Sequence, residues 1–462
     1  MTLSKETKEY VAGIALPHFV NTRPVATISG MPIDATKALT ANILAGGNTL
    51  LAGNAGIGKT QFMWDVIQTM VGEENSLQIR EELHRGDIKG LFRYLDKSAY
   101  DASGRSDDAV KSKNIDRVLF GIEEITRSGP LQNSLFAIAD GEIYDDATGR
   151  FYRLGKPVGE SGKYHICVAT GNIGNGDFAF AGQVDDALAT RFHLFLDIDD
   201  CPRTISDDTA IYNQKRGPRV AFGKSLSSEE QQSRLVLLLK AHQEIAGLRS
   251  EPDMLEDAIL KYFSFGLDHC QTNKGGEYAL VQHSKRAMKH AWPAMCKTCP
   301  SYEKLKFSCG AVRPAEPRHV NSWLRLRNAL EATAESAGAT VNSEDRIPNL
   351  LETIKLAAPY TMKWNSDLIK SDACMQNPGN AARGMVKTFA DEWAGLRDDF
   401  VLESALAAQG KLYNMDERTK LGLGPVTART KLLPMIDGSE KRKIFGYFRE
   451  VLDDYNRKQG TQ

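Results

Sequence analysis

The sequence lacks the apolar segments that would direct it into or across a membrane. No stretch approaches the roughly eighteen consecutive apolar residues that a helix needs to span a bilayer. Residues 1–9 are mostly polar and lack the apolar centre of a secretion signal. Only seven cysteines occur in 462 residues, which is an odd number and few for a disulfide framework. We therefore expect a cytoplasmic protein with reduced thiols and no membrane span.

The chain also lacks an excess of charge of either sign. Its 58 basic and 59 acidic residues give a formal net charge of −1, so no global field attracts nucleic acid or anionic lipid. It has no internal repeat and no low-complexity segment. A hydrophobic content of 42% and a charged content of 25% are typical of a soluble globular protein. The length indicates two or three domains.

The sequence does contain a loop pattern that binds the phosphates of a nucleotide. The pattern G-x-x-x-x-G-K-[ST] is completed by Gly53, Asn54, Ala55, Gly56, Ile57, Gly58, Lys59 and Thr60. An apolar run at residues 49–52 precedes it and a helical pattern at residues 61–67 follows, which is the context that the loop needs. The start of a helix attracts phosphate, Lys59 can reach the β and γ phosphates, and the Thr60 hydroxyl can bind Mg²⁺. The expected cofactors are therefore ATP and Mg²⁺.

Two acidic residues follow another apolar strand pattern. Residues 118–122 end at Glu123 and Glu124. Because the carboxyl ends of parallel strands face the ligand crevice, we interpret Glu123 as a residue that supports Mg²⁺. Glu124 would polarise the attacking water. The alternative interpretation is a strand end followed by a solvated acidic turn.

Patterns of hydrophobicity predict an α/β architecture followed by helices. Strand and helix patterns alternate from about residue 30 to residue 200, which predicts a parallel sheet covered by helices. The central strands are predicted at residues 49–52, 118–122 and 166–170, and a β-hairpin at residues 142–154. Beyond Pro202, helices are predicted at residues 227–248, 320–337, 346–357 and 382–394. Ser227 and Glu230 form a potential capping box, and residues 376–380 have the composition of a hinge.

The residues after Glu123 resemble the MoxR branch of the AAA+ ATPases, which belongs to the helix-2-insert clade. Glu124-Ile125-Thr126-Arg127 is similar to the family's Asp-Glu-Ile-Asn-Arg pattern, and Asp87-Ile88-Lys89-Gly90 to its Asp-x-x-Gly segment. Glu123 replaces the usual Asp, Thr126 replaces Asn, and Gly129 stands in the proline-rich turn. The predicted hairpin matches the insertion that marks this branch. The resemblance covers residues 26–363 in the expected order and implies an AAA+ αβα core with an all-helical lid.

The resemblance implies roles for three further residues. Asn172 matches the family's sensor 1, which helps to place the water. Arg191 matches an arginine finger that acts on the nucleotide of a neighbouring subunit, which implies a homohexameric ring. Arg318 matches sensor 2, which contacts the γ-phosphate of its own subunit. Taken singly, Arg191 could instead pair with Asp185 or Asp186, and Arg318 could be a solvated residue at a helix start.

Four cysteines in the predicted lid form a candidate metal site. They are Cys270, Cys296, Cys299 and Cys309. Four thiolates suit tetrahedral Zn²⁺ or an iron–sulfur cluster, and His290 is an alternative fourth ligand. The simpler interpretation is that these are reduced cysteines in a core.

We expect an ATP-hydrolysing AAA+ motor or chaperone of the MoxR type that remodels or assembles a client complex. The predicted divisions are an N-terminal segment (1–25), a nucleotide-binding core (26–205), a helical lid (206–363) and a helical C-terminal extension (364–462). The resemblance implies a partner protein with a von Willebrand factor A domain. One alternative is a nucleic-acid-associated motor of a restriction or antiphage system, for which the basic residues 285–290 would provide a patch. Another is a nucleotide-gated scaffold with little or no turnover.

Overall fold

The structure is a computed structural model of the full chain. It describes residues 3–79, 92–95, 110–112, 114–127, 132–145, 150–159, 162–172, 188, 190–214, 220–223, 225–248, 253–264, 307, 311–313, 317–364, 366–394, 397–423 and 443–460.

The strands within these ranges are β1 (Pro24–Ile28), β2 (Met31–Asp34), β3 (Thr49–Gly53), β4 (Ser76–Ile79), β5 (Arg93–Leu95), β6 (Val110–Ser112), β7 (Leu119–Ile122), β8 (Glu142–Asp145), β9 (Arg150–Arg153), β10 (Lys156–Val158), β11 (Gly162–Tyr164), β12 (Ile166–Asn172), β13 (Leu194–Asp197), β14 (Ala311–Arg313) and β15 (Lys363–Trp364).

The α-helices within these ranges are α1 (Lys5–Ala12), α2 (Ala35–Leu44), α3 (Lys59–Val66), α4 (Gln132–Asp140), α5 (Ile205–Asn213), α6 (Ser228–Gly247), α7 (Met254–Ser264), α8 (Pro317–Ser336), α9 (Arg346–Thr361), α10 (Ser366–Ile369), α11 (Pro378–Ala394), α12 (Arg397–Ala407), α13 (Met415–Lys420) and α14 (Lys443–Gly460).

A five-stranded parallel sheet forms the centre of the part of the chain that contains the predicted phosphate loop. Its strand order is β13-β3-β12-β7-β4, and all four pairings are parallel. Every residue of β3 and β7 is buried, as expected for apolar strands that are covered on both faces. The predicted central strands are confirmed, although β12 extends further than predicted, to Asn172. All five strands therefore end at one edge of the sheet.

The fold class predicted from the sequence is confirmed. The parallel sheet with its helices is an α/β core, a β-hairpin forms where it was predicted, and most of the described C-terminal region is helical. In that hairpin β8 and β9 pair from Glu142 opposite Arg153 to Asp145 opposite Arg150. A second hairpin (β10 and β11) and an N-terminal one (β1 and β2) were not predicted.

The capping box predicted at Ser227 is confirmed. The Ser227 hydroxyl accepts from the backbone N–H of Glu230, and the Glu230 carboxylate accepts from the backbone N–H of Ser227. This reciprocal pair satisfies two backbone donors that a helix start otherwise leaves open. The helix α6 then continues for 20 residues.

The hinge predicted at residues 376–380 is wrong. Gln376 adopts a left-handed φ of 59° in a tight turn, and α11 begins at Pro378. Proline suits the first helical position because its fixed φ matches the helix and its missing N–H would have no partner there. The composition that indicates a linker thus forms a turn and a helix start instead.

The chain divides into two compact units. The first comprises Met1–Ser250 and Ser322–Ala357 and contains the parallel sheet. The second comprises Glu251–Asn321 and Ala358–Gln462. Its core includes an aromatic cluster in which Phe389 contacts Tyr262, Phe263 and Trp393. The predicted domain limits stay predictions.

None of the helices within the described ranges is both long and apolar enough to cross a bilayer.

Candidate nucleotide-binding site

The predicted phosphate loop connects strand β3 to helix α3. Gly53, Gly56 and Gly58 adopt φ values of 134°, 84° and 93°. These left-handed values are strained for residues with a Cβ, so the glycines allow the turn. At Gly53 an added Cβ would also lie 2.3 Å from the Ile57 side chain. Helix α3 then starts at Lys59, with its first N–H groups at the loop.

Lys59 lies inside this loop and is only 6% exposed. Its Nζ donates to the carbonyl oxygens of Gly53 (2.8 Å) and Asn54 (2.7 Å) and to Oδ1 of Asn172 (2.8 Å). Burial lowers the pKa of Lys59, while the negative charges of Glu124, Asp199 and Asp197 act in the opposite direction. Three oxygen atoms therefore accept hydrogen bonds from the Lys59 ammonium group, and three acidic residues favour its charged form.

Glu124 lies at the carboxyl edge of the sheet, close to this lysine. Its φ of 51° is in the left-handed region, which is unusual for a residue other than glycine. Its backbone N–H donates to the Thr170 hydroxyl at 2.9 Å. Its Oε1 accepts from the Thr126 hydroxyl at 2.9 Å and from the backbone N–H of Asn172 at 3.0 Å. These contacts hold both the backbone and the carboxylate of Glu124 in place.

Asn172 joins the lysine to this carboxylate. It ends β12 directly beside Gly53 of β3 in the parallel register. Its side chain accepts from Lys59, and its backbone N–H donates to Glu124. The structure therefore brings together three of the residues predicted for the site: Lys59, Glu124 and Asn172.

The oxygen donors predicted for Mg²⁺ lie on the same elements. Thr60 is the second residue of α3, and Glu123 directly follows β7. The Gln78 side-chain amide donates to Oε1 of Glu123 and so orients that carboxylate. Hydroxyl and carboxylate oxygens suit Mg²⁺, so this donor set fits the predicted ion. Their coordination of Mg²⁺ stays a prediction.

Arg191 lies at the opposite edge of the sheet, where the strands begin. It precedes β13, whose first residue, Leu194, is beside Thr49 at the start of β3. The phosphate loop of the same chain follows the end of β3. The length of that strand, roughly 15 Å, therefore separates the loop from Arg191. The Arg191 Nε donates to Oδ2 of Asp140 at 2.7 Å, so Asp140 is one of its intrachain partners. Asp185 and Asp186, the alternative partners, lie outside the described residues.

Several other predicted site residues, or their side chains, lie outside the described part of the structure. Arg318 is the second residue of α8, but its side chain lies outside the described part of the structure. Cys270, Cys296, Cys299 and Cys309 also lie outside the described residues, as do His290 and residues 285–290 and 87–90. Across the described ranges, no group of three His, Cys, Asp or Glu side chains could hold a metal ion. The zinc site stays a prediction.

Sequence reasoning missed an acidic residue beside the phosphate loop. The backbone N–H of Asn54 donates to Oδ2 of Asp199 at 2.6 Å, and Asp199 N–H donates to Oδ1 of Asp197 at 3.0 Å. Asp197 is the last residue of the apolar strand β13 and lies beside Ala52, and Asp199 follows that strand. An acidic run after an apolar strand is the signal that identified Glu123 and Glu124, and it could have identified Asp199 as well.

Sequence reasoning also missed a buried carboxylate behind the phosphate loop. Asp65 of α3 is fully buried and accepts from the backbone N–H groups of His18 (2.8 Å) and Phe19 (2.5 Å). The Gln61 side-chain amide also donates to it, at 2.7 Å. Phe19 stacks on Phe62 with the ring centres 3.9 Å apart. Through these hydrogen bonds Asp65 holds the N-terminal segment, at His18 and Phe19, against the helix α3.

Comparisons with known proteins leave the family of this chain open. No family model matches the chain, and no curated protein matches it. A crystal structure of a "putative ATPase" from Cytophaga hutchinsonii ATCC 33406 is similar to it, with a TM-score of 0.48 and 13% sequence identity. The match covers 84% of this chain and 93% of that one. A likeness this distant carries no argument about the chemistry of the site.

Proposed function

We propose that this protein is an ATP-hydrolysing AAA+ motor of the MoxR type. One observation carries the proposal: Lys59 of the phosphate loop, Asn172 and Glu124 form one continuous hydrogen-bonded group. A phosphate loop alone indicates nucleotide binding. The attached Glu124 carboxylate adds a group that can orient and polarise water beside the phosphates.

Each residue of the group has a task in this proposal. The loop amides and Lys59 bind the phosphates, and the helix start at α3 favours their negative charge. Glu124 accepts a proton from the attacking water, and Asn172 fixes the position of that carboxylate through its backbone N–H. Thr60 and Glu123 would hold Mg²⁺, which when bound offsets charge on the phosphate oxygens.

The position of Arg191 supports an active site shared between subunits. A residue at the opposite edge of the sheet does not meet its own phosphate loop, because β3 separates the two. A guanidinium supplied by an adjoining copy would stabilise the charge of the transferring phosphoryl group. The ring, its hexameric stoichiometry, the remodelled client and a partner with a von Willebrand factor A domain follow from the resemblance to MoxR proteins.

Steady-state ATP hydrolysis by the wild type and by Glu124→Gln tests the proposal. Loss of the carboxylate base is expected to lower kcat by about 10²- to 10⁴-fold. ATP affinity should be retained, since Lys59 and the loop glycines are unchanged. Glu9→Gln, at an exposed position of α1, serves as the control and should hydrolyse ATP like the wild type.

Two results would contradict this function. Equal hydrolysis by the wild type and Glu124→Gln would remove Glu124 from its role. Nucleotide binding without measurable hydrolysis by the wild type would favour the nucleotide-gated scaffold instead.

A further inference from the structure

The guanidinium of Arg191 is held by two side chains of a single helix. Asp140 accepts a hydrogen bond from Nε at 2.7 Å. The ring of Phe136 lies under the guanidinium, with its centre 4.7 Å from Cζ. Phe136 and Asp140 are four residues apart on α4, so they lie on the same face of that helix. One turn of α4 thus provides both a flat apolar surface and a carboxylate for the arginine.

Asn48 links the backbone of Arg191 to the C-terminal end of α4 through hydrogen bonds. Its side-chain amide donates to the carbonyl oxygens of Ala139 (2.8 Å) and Arg191 (3.0 Å). Its Oδ1 accepts from the backbone N–H of Cys167 in β12 at 2.8 Å. Asn48 is 4% exposed. The helix end, the arginine backbone and a central strand are therefore joined at one buried side chain.

These contacts orient the arginine more than they stabilise the fold. The Arg191 and Asp140 side chains are 21% and 43% exposed. A partly solvated ion pair contributes little to folding stability, because water screens it and two side chains lose freedom. The geometry is nevertheless specific, since a carboxylate at Nε and a ring under the plane determine both the direction and the tilt of a guanidinium.

We propose that Asp140 and Phe136 are positioning residues that present Arg191 to the triphosphate bound by an adjoining copy of this chain. The inference rests on the proposed role of Arg191 in trans. Asp140 touches no substrate in this arrangement and acts through the arginine. The oriented guanidinium needs no reordering when it meets the phosphates, which lowers the barrier of the chemical step.

The kinetic test compares Arg191→Ala, Asp140→Ala, Asp140→Asn and the double variant Asp140→Ala/Arg191→Ala in the full-length protein. Arg191→Ala is expected to lower kcat about 10³-fold or more. Asp140→Ala should lower kcat roughly 10- to 100-fold through misplacement of the guanidinium. Asp140→Asn should lose less, because its amide oxygen still accepts from Nε. The Kd for ATP of the unassembled chain should stay unchanged in all four, because these residues lie away from their own phosphate loop.

The double variant separates positioning from general damage. In the Arg191→Ala background, loss of Asp140 should have no further effect on kcat, since no guanidinium is left to position. Glu142→Ala is the matched control. Glu142 lies two residues after Asp140, and its exposed carboxylate also pairs with an arginine, Arg153. This control should retain the kcat of the wild type.

Subunit mixing tests the trans arrangement directly. Lys59→Ala subunits bind nucleotide poorly but carry an intact Arg191 with Asp140, whereas Asp140→Ala subunits have an intact phosphate loop. Mixing the two should raise hydrolysis above the sum of the separate samples. No gain on mixing would overturn the inference.

These experiments distinguish a failure of the trans role of Arg191 from a failure of the positioning role of Asp140 and Phe136. If Arg191→Ala hydrolyses ATP like the wild type, the trans role of Arg191 is wrong and this inference falls with it. If Arg191→Ala loses activity but Asp140→Ala does not, only the positioning role is wrong. An equal loss from Asp140→Ala with and without Arg191 also overturns the positioning role.

Discussion

Lys59 illustrates how one residue balances burial against charge. Burial disfavours an ammonium group and lowers its pKa, while Glu124, Asp199 and Asp197 favour the protonated form. The lowered pKa shows that burial is the larger effect. A lysine with this balance loses its proton at a lower pH than an exposed lysine.

As the pH rises, the affinity for nucleotide should therefore begin to fall before the pH reaches 10.5, the ordinary pKa of lysine. Protonated Lys59 attracts phosphate, and raising the pH through its lowered pKa removes that charge, so affinity is present below this pKa and lost above it. The measurement is the Kd of a non-hydrolysable ATP analogue as a function of pH. In Lys59→Arg the alkaline loss should be absent, since a guanidinium keeps its charge. A Kd for the wild type that stays constant up to the ordinary lysine pKa would contradict the prediction.

Asp140 shows a second residue-level effect, because its partner decides its role. A carboxylate at a helix C-terminus is unfavourable for the helix dipole. Its pairing with Arg191 compensates for that placement and gives the carboxylate a use at the same time. The function of the Asp140 side chain is thus indicated better by its pairing with Arg191 than by the position of Asp140 on the helix.

At the scale of elements, α3 connects the phosphate loop to the N-terminal segment. Lys59 begins this helix, and Asp65 lies almost two turns later with the backbone of His18 and Phe19 bound to it. An added Cβ at Gly58 would lie 3.7 Å from the Phe19 ring. The N-terminal segment therefore packs directly behind the phosphate loop and supports its shape.

Asp65→Ala should release this segment and destabilise the first unit. The change removes the carboxylate that accepts from the buried N–H of Phe19 and the partly buried N–H of His18, at an expected cost of about 2–4 kcal/mol in the free energy of unfolding. Urea unfolding gives the energy, and limited proteolysis detects the released segment. Asp391→Ala, an exposed position of α11, is the control and should change the free energy by less than about 0.5 kcal/mol. Equal stability of the two variants would show that Asp65 does not anchor the segment.

At the scale of the whole molecule, the site residues lie at both edges of the central sheet. Lys59, Glu124 and Asn172 lie at the edge where the strands end, and Arg191 at the edge where they begin. A complete site in the proposed mechanism therefore requires two copies of the chain. The sheet is the rigid body that keeps the two half-sites at a constant separation.

Nucleotide should accordingly promote assembly of the protein. Glu124→Gln with ATP is expected to form a stable oligomer, because bound triphosphate can then contact Arg191 of an adjoining copy without being hydrolysed. Size-exclusion chromatography with light scattering, or native mass spectrometry, gives the mass with and without ATP. Adding Arg191→Ala to this variant should weaken the assembly. A monomer under both conditions would contradict the shared site and the ring.

Local features were predictable because neighbouring residues determine them. The phosphate loop, the hairpin at β8 and β9 and the capping box at Ser227 each depend on a short stretch of chain. The hinge prediction at residues 376–380 failed because proline and glycine suit a linker and a helix start equally well. Composition alone could not distinguish the two.

The sequence by itself determined the local loop on which the proposed nucleotide chemistry depends, since a glycine loop, its lysine and the flanking apolar patterns are contiguous. Only the tertiary structure decided which distant groups act on that chemistry. Lys59 meets Asn172 across 113 positions, Asn54 meets Asp199 across 145, and Arg191 meets Asp140 across 51. The physical reason is the parallel sheet, which aligns strands from distant parts of the chain and so sets which residues share each of its two edges.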